Sequence, residues 1–435
     1  MMRVPRKPEV FIGPMEIAGI ASGLENGFHQ LGVSARVCLA YPHPYGYSSS
    51  SPKGILAAWQ KAGSKVLKYR SKRTPVAAFW LLWHKLLSWP VLFFSLFRFN
   101  TFIFLFAQTI TNTEFELWIL KRLRKTVVFI YSGTESRPPY INGGFFPAGG
   151  DAPDLLLALK MTRKVKRVVR RNERYADYTI NSPSTAQFQE KPFINWFSIG
   201  IPKTIPVVKA YEKKEGKRSI KIVHSPSHPV LKGSALIEEC VGRMRAKGYQ
   251  IDFVRLEGVS NDEVLDALTS CDFVIDQLYS DTPMAVLATE AAFFAKPSVV
   301  GGYFSQDVSE MLAEEDLPPS CFVMPEALDA AVERLIVDND YRQQLGMAAQ
   351  SFVLKKWNSL AVAERYLQLI SGDVPADWWF DPINVRYSAG CGMPDYQAAR
   401  MIGLMVDRFG TEALQLEDKP RLRDLFLAMS KRRQG

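Results

Sequence analysis

The residues best suited to chemistry lie in two short stretches of the second half. The first reads HSPSHPVLKGS, residues 224–234, and places Lys232 and Gly233 where a helix opens. An ammonium group beside a helix N-terminus is a ready site for an anion. The second reads DTPMAVLATEAAFFAKP, residues 281–297. Its loop leads into a helix that carries Glu290 about one and a half turns inside. The backbone amides near Met284, Ala285 and Val286 can then aim at the same anion. A phosphate leaving group that gains negative charge as its bond breaks is the chemistry such a pairing serves. Other chemistries are excluded. The five histidines contain no HExxH, and the five cysteines (Cys38, Cys240, Cys271, Cys321, Cys391) contain no CxxC, which argues against a zinc hydrolase, a thiolate metal site and a disulfide scaffold. Asp338-Asn339-Asp340 has the form of a metal-binding DxD, yet it precedes a helical run and reads as a helix cap. His43, in the Pro-rich YPHPYGY, could serve as a base in an inverting enzyme, although a histidine in such a loop is usually incidental.

Together these stretches resemble the GT-B glycosyltransferases, specifically the large bacterial family 4-like class that uses nucleotide-sugar donors and retains anomeric configuration. The likeness runs from about residue 9 to 370 and is densest between Ile220 and Val300. It is carried by His224, Pro226, Ser227, Lys232 and Gly233, by Asp276, Gln277 and Leu278, and by Glu290, Ala291, Lys296 and Pro297. The resemblance implies catalytic positions at Lys232, Glu290 and Thr282. It implies donor contacts from Gly19, Ser225, Gly233, Met284, Ala285 and Val286, with Glu290 accepting hydrogen bonds from the ribose. The SGTESRPP segment resembles a Gly-x-Asp-x-Arg-Pro motif, which puts Gly133, Glu135 and Arg137 on the acceptor or sugar side with Glu16 and His224; His224 also reads as a hydrogen-bonded core histidine. Two positions depart from the pattern: Thr282 stands where many members carry a first Glu, and Ser227 stands where many carry an Arg. The implied activity is transfer of a sugar from a UDP- or GDP-linked donor to a glycan or lipid-linked acceptor in cell-surface polysaccharide or glycolipid synthesis. It would retain configuration and need no cofactor or metal. The departures keep two alternatives open, a degenerate partner subunit and a nucleotide-sugar epimerase of the same fold.

Two sets of alternating elements must position these groups. The opening predicts strand Glu9–Ile12, a Gly-rich turn, helix Ile20–Leu31 and strand Ala35–Leu39, the start of a parallel α/β sheet. Strand Ile220–Val223, helix Ser234–Lys247, strand Ile251–Leu256, helix Asn261–Ser270, strand Phe273–Ile275, helix Met284–Phe294 and strand Ser298–Val300 form a second set. A helical tail follows from Ala327 to about Ile370. The expected architecture is α/β, with two doubly wound, Rossmann-like domains facing a cleft. The first spans residues 1–203, the second 204–371, and a C-terminal helical extension covers 372–435, with a linker at Gly200–Arg218. The first turn, GPMEIAG, lacks the GxGxxG of a dinucleotide site, which disfavours an NAD-dependent oxidoreductase.

Charge and hydropathy separate the halves further. The 435-residue chain is 47% apolar and 23% charged, an ordinary globular composition. Residues 1–200 hold 27 Lys and Arg against 11 Asp and Glu, whereas the rest hold 27 against 33. One half therefore favours an anionic partner. Within it, Val76–Phe97 is apolar at 18 of 22 positions if Pro90 is counted. A bilayer crossing is opposed by Lys85 near its middle, by Pro90, and by the strand Phe102–Phe106, which continues the same sheet. Two readings remain, an interfacial membrane helix and a core helix. The preceding Lys61–Arg73 has six basic residues and no acid, each able to add about 1 kcal/mol of attraction to anionic lipid. Segment 61–98 is thus a candidate membrane contact, with the basic helix Lys160–Arg174 on the same surface. Nucleic acid is disfavoured because the aromatics form a block instead of interleaving with the basic residues. The N-terminal MMRVPRKPEVFIG does not read as a signal peptide, so the expectation is a cytoplasmic chain, peripheral on the inner face of the plasma membrane. Nothing in the pattern fixes an oligomeric state.

Overall fold

The computed structural model describes residues 8–43, 52–71, 74–146, 153–205 and 219–431. The opening residues 1–7 and most of the expected linker lie outside them. The first part of the chain forms β1 (Glu9–Gly13), α1 (Ile20–Gln30), β2 (Ser34–Val37), α2 (Ile55–Tyr69), α3 (Pro75–Arg98), β3 (Thr101–Leu105), α4 (Glu114–Arg122), β4 (Thr126–Ile130), α5 (Leu155–Tyr175), β5 (Tyr178–Asn181), β6 (Phe193–Asn195) and the short α6 (Trp196–Ile199). Strands such as TFIFL and TVVFI are apolar at almost every position, the signature of a sheet covered on both faces. They pair in the order β6-β5-β4-β3-β1-β2, all parallel.

The second set comprises β7 (Ile220–His224), α7 (Pro229–Lys232), α8 (Ser234–Ala246), β8 (Ile251–Arg255), α9 (Asn261–Ser270), β9 (Phe273–Ile275), α10 (Val286–Phe293), β10 (Ser298–Gly301), α11 (Val308–Met311) and β11 (Cys321–Val323). Its parallel sheet runs β11-β10-β9-β7-β8. The helical tail expected from Ala327 is three helices, α12 (Leu328–Val337), α13 (Asn339–Lys356) and α14 (Ser359–Ser371). The breaks are caps. Asp338 Oδ1 accepts the Tyr341 N–H at 2.9 Å, and Asn358 Oδ1 accepts the Ala361 N–H at 2.9 Å. Asp338 is thereby used at a helix start.

The chain then returns to the first body. Helix α14 lies on α1, where a side chain at Gly27 would put its Cβ 2.0 Å from the Ser359 carbonyl oxygen, and one at Gly23 would put it 1.8 Å from that of Pro202. Only glycine permits backbones this close. At the crossing, Lys203 N–H donates to the Trp357 carbonyl at 3.2 Å and Ser359 N–H donates to the Lys203 carbonyl at 3.0 Å. Beyond it, β12 (Trp379–Phe380) adds antiparallel to the β6 edge, and α15 (Asp395–Phe409) and α16 (Pro420–Lys431) enter the same apolar core as β3, β4 and α5. Among the described residues β12, α15 and α16 therefore pack as part of the first body. On the basic face of α5, Lys166 is buried between Glu190 and Asp418 of the C-terminal segment, while Arg170 pairs with Glu190 and Arg174 with Glu114.

The apolar insert forms a helical hairpin, α2 against α3. Thr74 Oγ1 caps α3, and Pro75 occupies its first turn. The helix continues through Pro90, whose missing donor is absorbed within a 24-residue helix. Its buried residues, His84, Ser88, Val91, Leu92, Ser95 and Leu96, make one stripe at helical spacing. His84 turns inward, stacks on Trp59 and contacts the Ala40 carbonyl at 3.2 Å; burial lowers its proton affinity. The opposite face is exposed. Phe97 is 91% exposed and Trp83 45%, with Phe79, Leu82 and Leu86 between them. Contact of Trp89 with Phe115, ring centroids 6.0 Å apart, extends this surface to the exposed Trp118 of α4. By length and composition α3 could also cross a membrane.

Candidate active site

The carboxyl ends of the two parallel sheets face each other, and a cavity of about 340 Å³ lies between them. Glu16, Ala18 and His43 line it from the first body; Ser225, Ser227, Lys232, Asp276, Ala285, Val286 and Glu290 line it from the second. Lys232 and Glu290 thus share one opening.

Lys232 ends α7, a single turn started by Pro229. Gly233 follows with φ of +68°, and a Cβ there would meet the Leu278 Cβ at 2.7 Å. Conformation and close approach both require glycine. The Lys232 carbonyl accepts the Leu278 N–H at 2.9 Å, which fixes the turn against the end of β9. Its ammonium hydrogen-bonds Gln277 Oε1 and sits 3.5 Å from Asp276 Oδ1. Asp276 is 1% exposed, and its Oδ2 has no hydrogen-bond partner among the described residues. A buried carboxylate oxygen in this state at a cavity wall is an open acceptor.

Glu290 is buried in α10. Its Oε1 accepts from Lys203 Nζ at 2.8 Å and from Asn261 Nδ2 at 3.2 Å. The ion pair is almost fully enclosed and joins the two bodies. A second cavity of about 480 Å³ lies on the other side of this carboxylate and is lined by Gly19, Asn26, Lys203 and Asn261. Gly19, with φ of +82°, begins α1 without a side-chain cap of its own. Glu16 supplies the cap: its two oxygens accept the Ala21 and Ser22 N–H groups at 3.1 and 3.0 Å. The positive end of α1 therefore already holds a carboxylate. Burial raises the pKa of Glu16 despite these bonds. His43 is less basic than usual, first through burial and second through the charge of Lys203.

Several residues expected at the site lie elsewhere. His224 is fully buried; Nδ1 contacts the Ile275 carbonyl and Nε2 the Ser234 hydroxyl, both at 2.8 Å, so the ring ties β7, β9 and α8 together. Met284 is core. Thr282 is off the wall of both cavities, where its N–H donates to Ser280 Oγ at 3.1 Å. Gly133, Glu135 and Arg137 are also off both walls. Arg137 instead forms a buried ion pair with Asp281 across the interface between the bodies. Burial pushes the Glu135 carboxyl up to about 7, and its Oε2 has no hydrogen-bond partner among the described residues. Sequence reasoning missed Lys203 and Asn261 and did not count Asp276 among the site residues. Only Asp276 carried a signal, within the Asp-Gln-Leu run.

This architecture, two parallel α/β bodies with the cleft at their carboxyl ends and a last helix crossing back, is the GT-B fold of glycosyltransferases. The catalytic domain of starch synthase IV from Arabidopsis thaliana, bound to ADP and acarbose, superposes with a TM-score of 0.51 at 11% identity, covering 84% of this chain and 99% of that one. HepE of Anabaena in complex with UDP and glucose gives 0.44 at 11% identity, covering 83% and 99%. SnogD from Streptomyces nogalater gives 0.38 at 11%, covering 83% and 99%. At the level of sequence, no protein-family model and no curated protein matches the chain.

Proposed function

We propose that the chain is a glycosyltransferase that moves a sugar from a UDP- or GDP-linked donor to a glycan or lipid-linked acceptor in cell-surface polysaccharide or glycolipid synthesis. The observation that carries this reading is the single cavity shared by Lys232, Glu290 and the start of α10. In it, the Glu290 carboxylate meets the ribose diol, and Lys232 with the amides at Ala285 and Val286 faces the diphosphate. The bond from the anomeric carbon to the phosphate oxygen breaks with its electron pair on the diphosphate. The acceptor oxygen bonds to the same carbon and gives its proton to the departing phosphate, with retention of configuration. The positive charge opposite the leaving group comes from Lys232 and backbone amides, without a metal ion.

Thermal unfolding in the presence of UDP, GDP, CMP and NAD tests the reading. A nucleoside diphosphate at about 100 times its Kd stabilises by about 2.7 kcal/mol, so a clear rise in Tm with UDP or GDP alone is expected. A rise with NAD alone would sink the assignment. A second reading, a degenerate partner subunit, is favoured by the internal pairing of both key groups, Lys232 with Asp276 and Glu290 with Lys203. It requires nucleotide binding without turnover of any sugar nucleotide.

The same proposal places the protein on the cytoplasmic face of an anionic membrane. The exposed aromatic face of α3 supplies the apolar contact, and the acid-free Lys61–Arg73 stretch supplies the complementary charge. Wild-type protein should float with vesicles containing phosphatidylglycerol and much less with phosphatidylcholine alone. Trp83→Ser with Phe97→Ser should abolish flotation without lowering Tm, since both side chains are already exposed. Equal flotation of the double variant removes α3 as the contact.

A further inference from the structure

A third cavity, of about 1330 Å³, lies under the α2–α3 hairpin, against the loops that follow β1, β2 and β3. It is several times larger than the donor cavity, and three features define what it suits. Its outer wall is apolar: Leu67 of α2 and Ala77, Ala78 and Leu81 of α3 line it, and Leu67 and Leu81 are 44% and 57% exposed. It therefore opens beside the aromatic surface of α3. At its rim stands Arg70, whose charge acts on the half-buried hydroxyl of Tyr41, another wall residue. At its inner end are Glu16 and His43, which also line the cavity shared by Lys232 and Glu290. The two spaces meet at these side chains.

We propose that this cavity holds a membrane amphiphile, with its hydrocarbon chain along α3, its anionic headgroup at Arg70 and its far end at the Glu16–His43 junction. The apolar outer wall along α2 and α3 suits a hydrocarbon chain, while Ser64, Thr74 and Gln108 add polar groups to the same lining. A hydrocarbon chain gains about 0.8 kcal/mol for each methylene buried. Among the described lining residues one guanidinium, that of Arg70, stands at the rim, and it matches a phosphate-type headgroup. The occupant would be the acceptor, which narrows the acceptor to the lipid-linked class. That role rests on the transferase reading; occupancy by an amphiphile does not.

The probe is dodecyl phosphate below its critical micelle concentration, titrated calorimetrically, with inorganic phosphate and dodecyl glucoside as controls. Dodecyl phosphate should bind at least tenfold more tightly than either control. Ala78→Trp, which fills the cavity from an exposed position, and Arg70→Glu, which reverses the rim charge, should each weaken it tenfold or more. Both variants should keep the wild-type Tm and the wild-type response to UDP or GDP. Equal binding of inorganic phosphate assigns the site to the anion alone and overturns the proposal, as does unchanged affinity in both variants. If no nucleotide stabilises any of the proteins, the transferase reading falls while the titration still decides this one.

Discussion

Lys232→Ala is expected to lower turnover of the matching sugar nucleotide by about 10²–10³-fold, the usual cost of removing a preorganised donor to developing negative charge. The loss should appear in kcat more than in KM, because in the proposed reaction the ammonium acts most strongly on the diphosphate as it departs. Ser227 stands in the same wall with a hydroxyl and no charge, so it cannot replace the lost cation. Asp276, now without its ammonium neighbour at 3.5 Å, adds to the loss by placing an uncompensated carboxylate in the cavity. Steady-state kinetics with saturating acceptor, alongside the nucleotide-induced Tm shift, separates chemistry from binding. Turnover within tenfold of wild type would mean that leaving-group charge is met elsewhere and would remove Lys232 from the mechanism.

Arg137→Ala should destabilise the protein by about 3–5 kcal/mol, since it leaves Asp281 buried without its partner. The guanidinium is 4% exposed and the carboxylate 12%, so water cannot substitute for either. Asp281→Ala should cost a similar amount. The combined Arg137→Met with Asp281→Leu should recover much of the loss, because no uncompensated charge remains. Urea unfolding of wild type, the single Arg137→Met and Asp281→Leu variants and their combination closes a double-mutant cycle whose coupling term measures the pair. Additive losses would show that the two side chains do not interact in solution.

The sheets were legible because their signal is local. TFIFL and TVVFI are apolar throughout, and α1 keeps its apolar residues at helical spacing, so strand and helix follow from neighbours a few residues apart. The Lys232–Gly233 turn and the Glu290 helix were readable for the same reason. Long-range pairings were not. Glu290 meets Lys203 across 87 residues and Arg137 meets Asp281 across 144, and no periodicity links such positions. The SGTESRPP motif was visible, yet its charge is spent on an interdomain ion pair instead of the cleft. The role of β12 was hidden too: its two residues pair only because the β6 edge is open, a fact of tertiary structure. His224 shows the opposite limit. Its position at a strand end was evident, but the two partners that occupy its ring appear only in three dimensions.

The chain leaves the first body at Lys203 and re-enters it at Asn358, and these crossing points are hydrogen-bonded side by side. Topologically the second body is an insertion joined to the first through these two adjacent crossings. Lys203 is part of this crossing and also holds Glu290, so the crossing and the wall of the cleft share one side-chain contact. Exchange of the second body with that of another protein must therefore cut at both crossings. A chimera joined only once, after residue 203, would take away α14 and everything that follows it from the first body.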